Sequence, residues 1–367
     1  MQTVALRSRR VEAADHGEAV ELFYARGWTD GLPIVPPTEE RVEAMLSTLD
    51  RDPGEVVGIV APRCGKATLE KIAINAVMAG CQPAYFPVVV AAIEAIADED
   101  FNLNGVQATT HVAAPLCIIN GPVRRALEIN GGANCFGQGF RANATIGRAV
   151  RLCMINIGGG LPGLTDGATF GHPGKYTYCV AENEEVSPWE PLHVERGFRP
   201  EQSTVTVFAA EAPHNVSDHP SRSARGILTT VADTMATMGN NTMYKRGEMA
   251  VVIGPEHAAT IAAEGWGKRD VKAFLFQEAR RPVGELIRAG EYYGDVTWQK
   301  HWPRWIDRND PAALIPVLDR PEDLLVIVAG GSVGRFSLVI PGWGALGTRA
   351  VTKVIHFHAS GGCHDGT

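Results

Sequence analysis

Four groups of residues have the types and spacing to carry chemistry. The first runs from Gly131 to Gly160, GGANCFGQGFRANATIGRAVRLCMINIGGG, and holds eight glycines in thirty residues. Glycine permits positive φ and lets a ligand approach the backbone closely. A helix beginning near Ala142 would direct free N–H groups and a positive dipole end at this loop. Gly137, Gly139, Arg141 and Asn143 therefore read as a corner that binds a carboxylate or phosphate, with the Cys135 thiol beside it as a nucleophile. The alternative is a tight turn that only packs.

The second group is AGGSVGR, residues 329–335, directly after the apolar run Leu324 to Val328. Backbone N–H groups around Gly331, with Arg335, could hold a carboxylate; a sharp turn would need the same glycines for geometry alone. The third is EAPHNVSDHPSR, which puts Glu211, His214, Asp218 and His219 on one loop. His214 or His219 could move a proton, and with Asp218 they could ligate a metal; plain solvation of a loop gives the same composition. The fourth is the terminal VTKVIHFHASGGCHDGT. Strand alternation puts His356 and His358 on one face, and Cys363 with His364 could fold back to them to hold zinc, copper or iron. An unattached tail is the alternative there.

Cys64, flanked by Arg63 and Lys66 in PRCGK, is a second candidate reactive thiol. Cys117, Cys153 and Cys179 lie in apolar runs and read as core. Gly137-x-Gly139-x-x-Ala142 fits a relaxed dinucleotide pattern. That pattern should leave a strand directly, whereas the preceding apolar run ends near Asn120, so no dinucleotide cofactor is expected. CxxC and Walker A patterns are absent from the sequence.

The elements that would position these groups alternate between strand and helix. Ile59-Val60-Ala61-Pro62, Ile118-Ile119-Asn120-Gly121-Pro122 and Val252-Ile253-Gly254-Pro255 each read as a strand leaving through a turn, with proline suited to open the helix that follows. Residues 17–26 and 38–50 read as short amphipathic helices, and the run from Thr68 to Gly80 as a longer one. The spacing predicts an α/β protein built from repeated strand-Gly-Pro-helix units around a mixed or mostly parallel sheet, with two related halves as one form of it. Regions 1–180 and 203–367 would be the two parts, joined by the polar segment 181–202.

Composition bounds the rest. Hydrophobic residues make up 45% of the 367 and charged residues 20%, as in a globular protein, and the net charge of −7 leaves no nucleic-acid footprint. No run is long enough to span a membrane, no secretory signal is visible, and seven unpatterned cysteines fit a reducing, cytoplasmic setting.

Several long stretches, GWTDGLPIVPPTEERV, KIAINAVMAGCQPAYFPVV, GFRANATIGRAVRL, PGKYTYCVAENEEVSPWEPLHVERGF and VAGGSVGRFSLVIPGWG, together cover most of the chain. They resemble a bacterial family whose members accompany small proteins bearing a Cys-Gly-Ser-Cys (CGSC) or selenocysteine-Gly-Ser-Cys (UGSC) motif. The resemblance implies a hetero-oligomer in which this chain, having no such motif, is the large companion of a small redox subunit. It supplies no catalytic residues.

Three functions remain open on the sequence. The first is a subunit of an enzyme acting on a small anionic substrate, with thiol-assisted cleavage or reduction of a carbon–heteroatom bond (oxidoreductase or lyase chemistry) shared with the small partner. The second is a metal-dependent hydratase, lyase or hydrolase. The third is a non-catalytic subunit that presents the substrate.

Overall fold

The computed structural model describes residues 6–288, 302–344 and 347–357. In chain order the helices are α1 (His16–Ala25), α2 (Glu39–Leu46), α3 (Leu69–Ala79), α4 (Phe86–Ile96), α5 (Leu103–Ala108), α6 (Val123–Ala126), α7 (Arg141–Asn156), α8 (Leu192–Glu195), α9 (Ala224–Met235), α10 (Asn241–Lys245), α11 (Pro255–Ala263), α12 (Lys268–Glu278) and α13 (Val283–Arg288). The strands are β1 (Val56–Val60), β2 (Gly65–Thr68), β3 (Ala114–Asn120), β4 (Cys179–Ala181), β5 (Thr204–Ala210), β6 (His214–Ser217), β7 (Met249–Ile253), β8 (Arg280–Pro282), β9 (Leu314–Pro316), β10 (Leu324–Val328), β11 (Phe336–Pro341) and β12 (Val351–Val354). The expected α/β class holds. Local signals explain several boundaries: the Thr68 side chain accepts the Lys71 N–H at the start of α3, and Gly80 ends that helix at φ +89.

The strands form two four-stranded mixed sheets and two small hairpins, β1–β2 and β8–β9. The first sheet has the order β12-β5-β3-β4 and the second β10-β7-β11-β6. Side chains alternate along each strand. In β3, Cys117 and Ile119 join the core formed with α3, α4 and α7, whereas Leu116 and Ile118 join a separate core that also contains Ala250, Val252, Leu325 and Ile327 of the second sheet. In β7, Met249, Val251 and Ile253 face α9, α11 and α12. The layers are thus helices, sheet, sheet, helices. Burial on both faces is why β3, β7 and β10 read as unbroken apolar runs.

Both sheets follow one plan. A central strand has a parallel neighbour on one side (β3 with β4, β7 with β10) and two successive antiparallel neighbours on the other (β5 then β12, β11 then β6). The outermost strands are exchanged: β6 follows β5 in the chain but pairs in the second sheet, and β12 follows β11 but pairs in the first. The chain crosses over at an antiparallel bridge between Ala210 and Gly342. The molecule therefore does not divide at 181–202 as expected. β5 is an inner strand of the first sheet, and Glu182 within the supposed connector is wholly buried. No helix among the described residues is long and apolar enough to cross a membrane.

The glycine-proline exits have a geometric reason. A Cβ on Gly121 would run into the Gln202 carbonyl just before β5, and one on Gly254 into the Phe336 carbonyl at the start of β11. In each sheet the chain entering the antiparallel neighbour passes tightly against the end of the central strand, and glycine leaves room for it.

Candidate functional site

The glycine-rich corner is built on the edge strand β4. The Ala181 N–H donates to Asn130 O at 3.2 Å, which ties the segment from residue 130 to that edge. Asn143, in the first turn of α7, fixes the segment further. Its Oδ1 accepts the Asn130 N–H at 2.8 Å, and its Nδ2 lies within bonding distance of three carbonyls, Asn130, Cys135 and Cys179. Asn143 is buried with both ends of its amide engaged, so it holds the loop and does not face a substrate.

The second glycine loop, which follows β10, closes on the first. The Gly330 N–H donates to Gly131 O at 2.8 Å. A Cβ on Gly331 would lie 3.3 Å from the Ala133 side chain. Between the loops and the inner face of the second sheet lies a cavity of about 170 Å3, lined by Cys135, Phe136, Gly330, Val252, Phe336 and Leu338 among others. Two segments that sequence reading treated separately thus meet at one thiol. Burial pushes the Cys135 thiol up to about 11, against the pull of the Cys135, Phe136 and Gly330 amides, which favour its thiolate. At neutral pH the sulfur is protonated.

The other expected members of this corner lie elsewhere. Arg141 donates from Nε and Nη2 to Gly80 O at 3.1 and 2.9 Å, serving the last turn of α3. Arg335 donates to Ser221 O at 2.8 Å and Thr260 Oγ1 at 3.2 Å. The Gly334 N–H already serves a carboxylate, Glu256, at 2.6 Å. Gly137 makes room for the Asn134 side chain, and Gly139 turns the chain at φ +113. The charges expected to bind an anion here are thus committed to backbone carbonyls, which is the turn-forming alternative for both arginines.

Neither histidine of the 211–219 loop reaches a metal-like grouping. His214 is exposed on β6, the outermost strand of the second sheet. His219 meets the edge of Phe336, with ring centroids 4.8 Å apart, at the rim of the Cys135 cavity. Asp218 is buried, and its carboxylate accepts from Ser221 N and Thr230 Oγ1, so it shapes the loop. Cys64 is exposed between the β1 and β2 strands, apart from the Cys135 cavity. His356 is exposed just beyond β12, while His358, Cys363 and His364 lie outside the described residues. Among the described residues, no three His, Cys, Asp or Glu side chains are placed to hold a metal ion.

A wider opening of about 480 Å3 lies across the corner, against Asn130, Gly131 and Phe140. Its lining carries Glu128, Glu182 and Glu185 against Arg124 and Arg125, and Arg124 is spent on Glu184 and Glu185. An acid excess is the wrong sign for an anion.

One polar constellation was not legible in the sequence. His111 Nδ1 lies 3.3 Å from the Ala113 N–H as its acceptor, which leaves the proton on Nε2 to donate to Glu211 Oε1 at 2.8 Å. The Tyr178 hydroxyl donates to Glu211 O at 2.9 Å. His172 packs against the Tyr178 ring, and burial, aided by Lys175 and Arg151, lowers it to about 4. A hundred residues separate His111 from Glu211, and no local spacing announces the pair. Arg151 did carry a signal: it falls in the otherwise apolar stripe of α7 with Gly147 and Met154.

No protein-family model matches the chain, and no curated protein matches it.

Proposed function

We propose that the chain is the substrate-binding subunit of an enzyme that cleaves or reduces a carbon–heteroatom bond in a small anionic molecule, working with a small CGSC- or UGSC-type thiol or selenol partner. The supporting observation is the meeting of two glycine loops, far apart in sequence, at one cavity beside the Cys135 thiol. Backbone amides of loops held in that way stabilise negative charge as it develops. The partner's thiol–thiol or selenol–thiol pair supplies two electrons and ends as a disulfide or selenenylsulfide. The substrate's C–X bond becomes C–H, and X leaves protonated. Cys135, held as the thiol, is placed to deliver one of the two protons. Val333, 91% exposed on the loop that lines the cavity, gives the partner an apolar contact beside the thiol.

The test compares turnover by the chain with its partner for wild type and Cys135→Ser, and repeats it after alkylation. We expect turnover to need both chains and to fall by about 100-fold or more in Cys135→Ser, the usual scale for a positioned proton donor. Wild-type turnover in Cys135→Ser would overturn the assignment. The metal-dependent alternative has no support among the described residues and rests on the tail from His356 to His364. Metal analysis of the purified protein before and after deleting 356–367 decides it.

A further inference from the structure

Besides Arg141, α7 carries Arg148 and Arg151, which are met unequally by the loops flanking it. Arg148 is firmly paired. Its Nε and Nη2 meet the Asp30 carboxylate at 2.8 and 2.9 Å, and Nη2 also reaches the carbonyls of Leu32 and Pro33. Arg151, one turn on, is only 7% exposed and makes no hydrogen bond among the described residues. Its nearest acid is Asp166, at 3.8 Å, and that carboxylate is already bonded to Lys175 at 2.7 Å. Arg151 is thus a buried guanidinium with five donors and only one long ion pair to meet them.

The loop that carries Asp166 lies on the loop that carries His111: Thr169 donates from N and Oγ1 to Thr110 O, at 2.9 and 3.1 Å. This brings the His111–Glu211 pair and the Tyr178 hydroxyl to the loop that carries Asp166. Burial holds His172 down, with Lys175 and Arg151 adding to it, and burial lowers Arg151 itself despite Asp166 and Asp30.

We infer that Arg151 and Lys175 bind the carboxylate of a small molecule. A planar guanidinium matches a carboxylate through two parallel N–H···O bonds. A monocarboxylate fits that fork, whereas a phosphate dianion would bring a second negative charge up to Asp166 and Glu211. This site is separate from the Cys135 cavity and does not rest on the thiol reading.

The test uses the full chain alone, labelled at its histidine rings, and titrates it with acetate, propionate and lactate, with inorganic phosphate as the comparison. We expect a saturable shift of the His111 and His172 resonances with the monocarboxylates. The Kd should rise at least about tenfold in Arg151→Gln, the scale of a lost charge-assisted bidentate pair. Lys175→Gln removes the second cation without opening the buried position, and it should weaken binding in the same direction if Arg151→Gln proves unfolded. Carboxylate binding unchanged in both variants, no saturable shift at either histidine, or saturation by phosphate alone would each overturn the assignment. Partner-dependent turnover plays no part in the readout, so failure here and failure of the thiol reading are distinguishable.

Discussion

At the scale of single residues, environment decides which groups can react. Cys64 is exposed and Cys135 is buried with its thiol pushed up to about 11. Iodoacetamide should therefore modify Cys64 first at neutral pH. Labelling of Cys135 should climb about tenfold per pH unit up to pH 10 as its thiolate fraction grows. Peptide mass spectrometry against pH checks this, and a Cys135 rate that is flat from pH 7 would show that its amides outweigh burial. Asn143 makes the complementary case. The sequence marked it as part of the glycine corner, and it is, but the four contacts of its amide are spent on the corner's own backbone. Residue type and neighbourhood were readable there; the direction of the side chain was set by β4, distant in sequence. Asn143→Ala would strand buried backbone groups and should cost about 2–4 kcal/mol of stability in urea denaturation. It should also disorder the Cys135 loop.

At the scale of elements, strand and helix identity was legible because both periodicities and the caps are local. β3, β7, β10, α3 and α11 fall where the apolar runs and the Thr, Gly and Pro signals place them. Which loops meet was not legible, since that depends on sheet order. The Gly330–Gly131 contact and the His111–Glu211 pair both bridge segments with no shared local pattern. Gly342 shows how tight such a junction is: a Cβ there would collide with the Glu248 carbonyl and stand 3.0 Å from the Phe208 ring. Gly342→Ala should lower stability by about 1–3 kcal/mol through overpacking, read as a drop in denaturation midpoint. The first sheet, α7 and the end of α3 also bury thiols. Burial pushes Cys81 and Cys117 up to about 12 and also raises Cys153 and Cys179 well above the ordinary thiol range. An unfolded chain gives up these protons near 9, so the stability linked to them is complete below pH 9 and lost as pH rises through 12. The depressed amines of Lys175 and Lys245 act in the opposite direction. In reducing buffer the net slope should be negative from pH 9 to 11, and Cys153→Ala should make it shallower by about 1.4 kcal/mol per pH unit.

At the scale of the whole molecule, the exchanged outer strands decide how the fold holds together. Were 181–202 a linker between domains, each half would own its sheet and could open alone. Instead β12 completes the first sheet from the far end of the chain, and β6 completes the second from the segment just after β5. The two sheets also share one apolar interior, in which Leu116, Ile118 and Phe208 pack with Val252, Ile327 and Ile340. Separating the halves would therefore expose both inner faces and strip an outer strand from each sheet. That cost makes independent opening of one half unfavourable, and elements with shared burial unfold as one cooperative unit. Native-state hydrogen exchange tests this directly. The amides of Leu116 and Ile118 in β3 should open with the same free energy and the same denaturant dependence as those of Val251 and Val252 in β7. Two distinct plateaus, one for each sheet, would mean that the strand exchange does not couple the halves. A common plateau, lowered equally in both sheets by Gly342→Ala at the crossover, would place the coupling where the chain changes sheets.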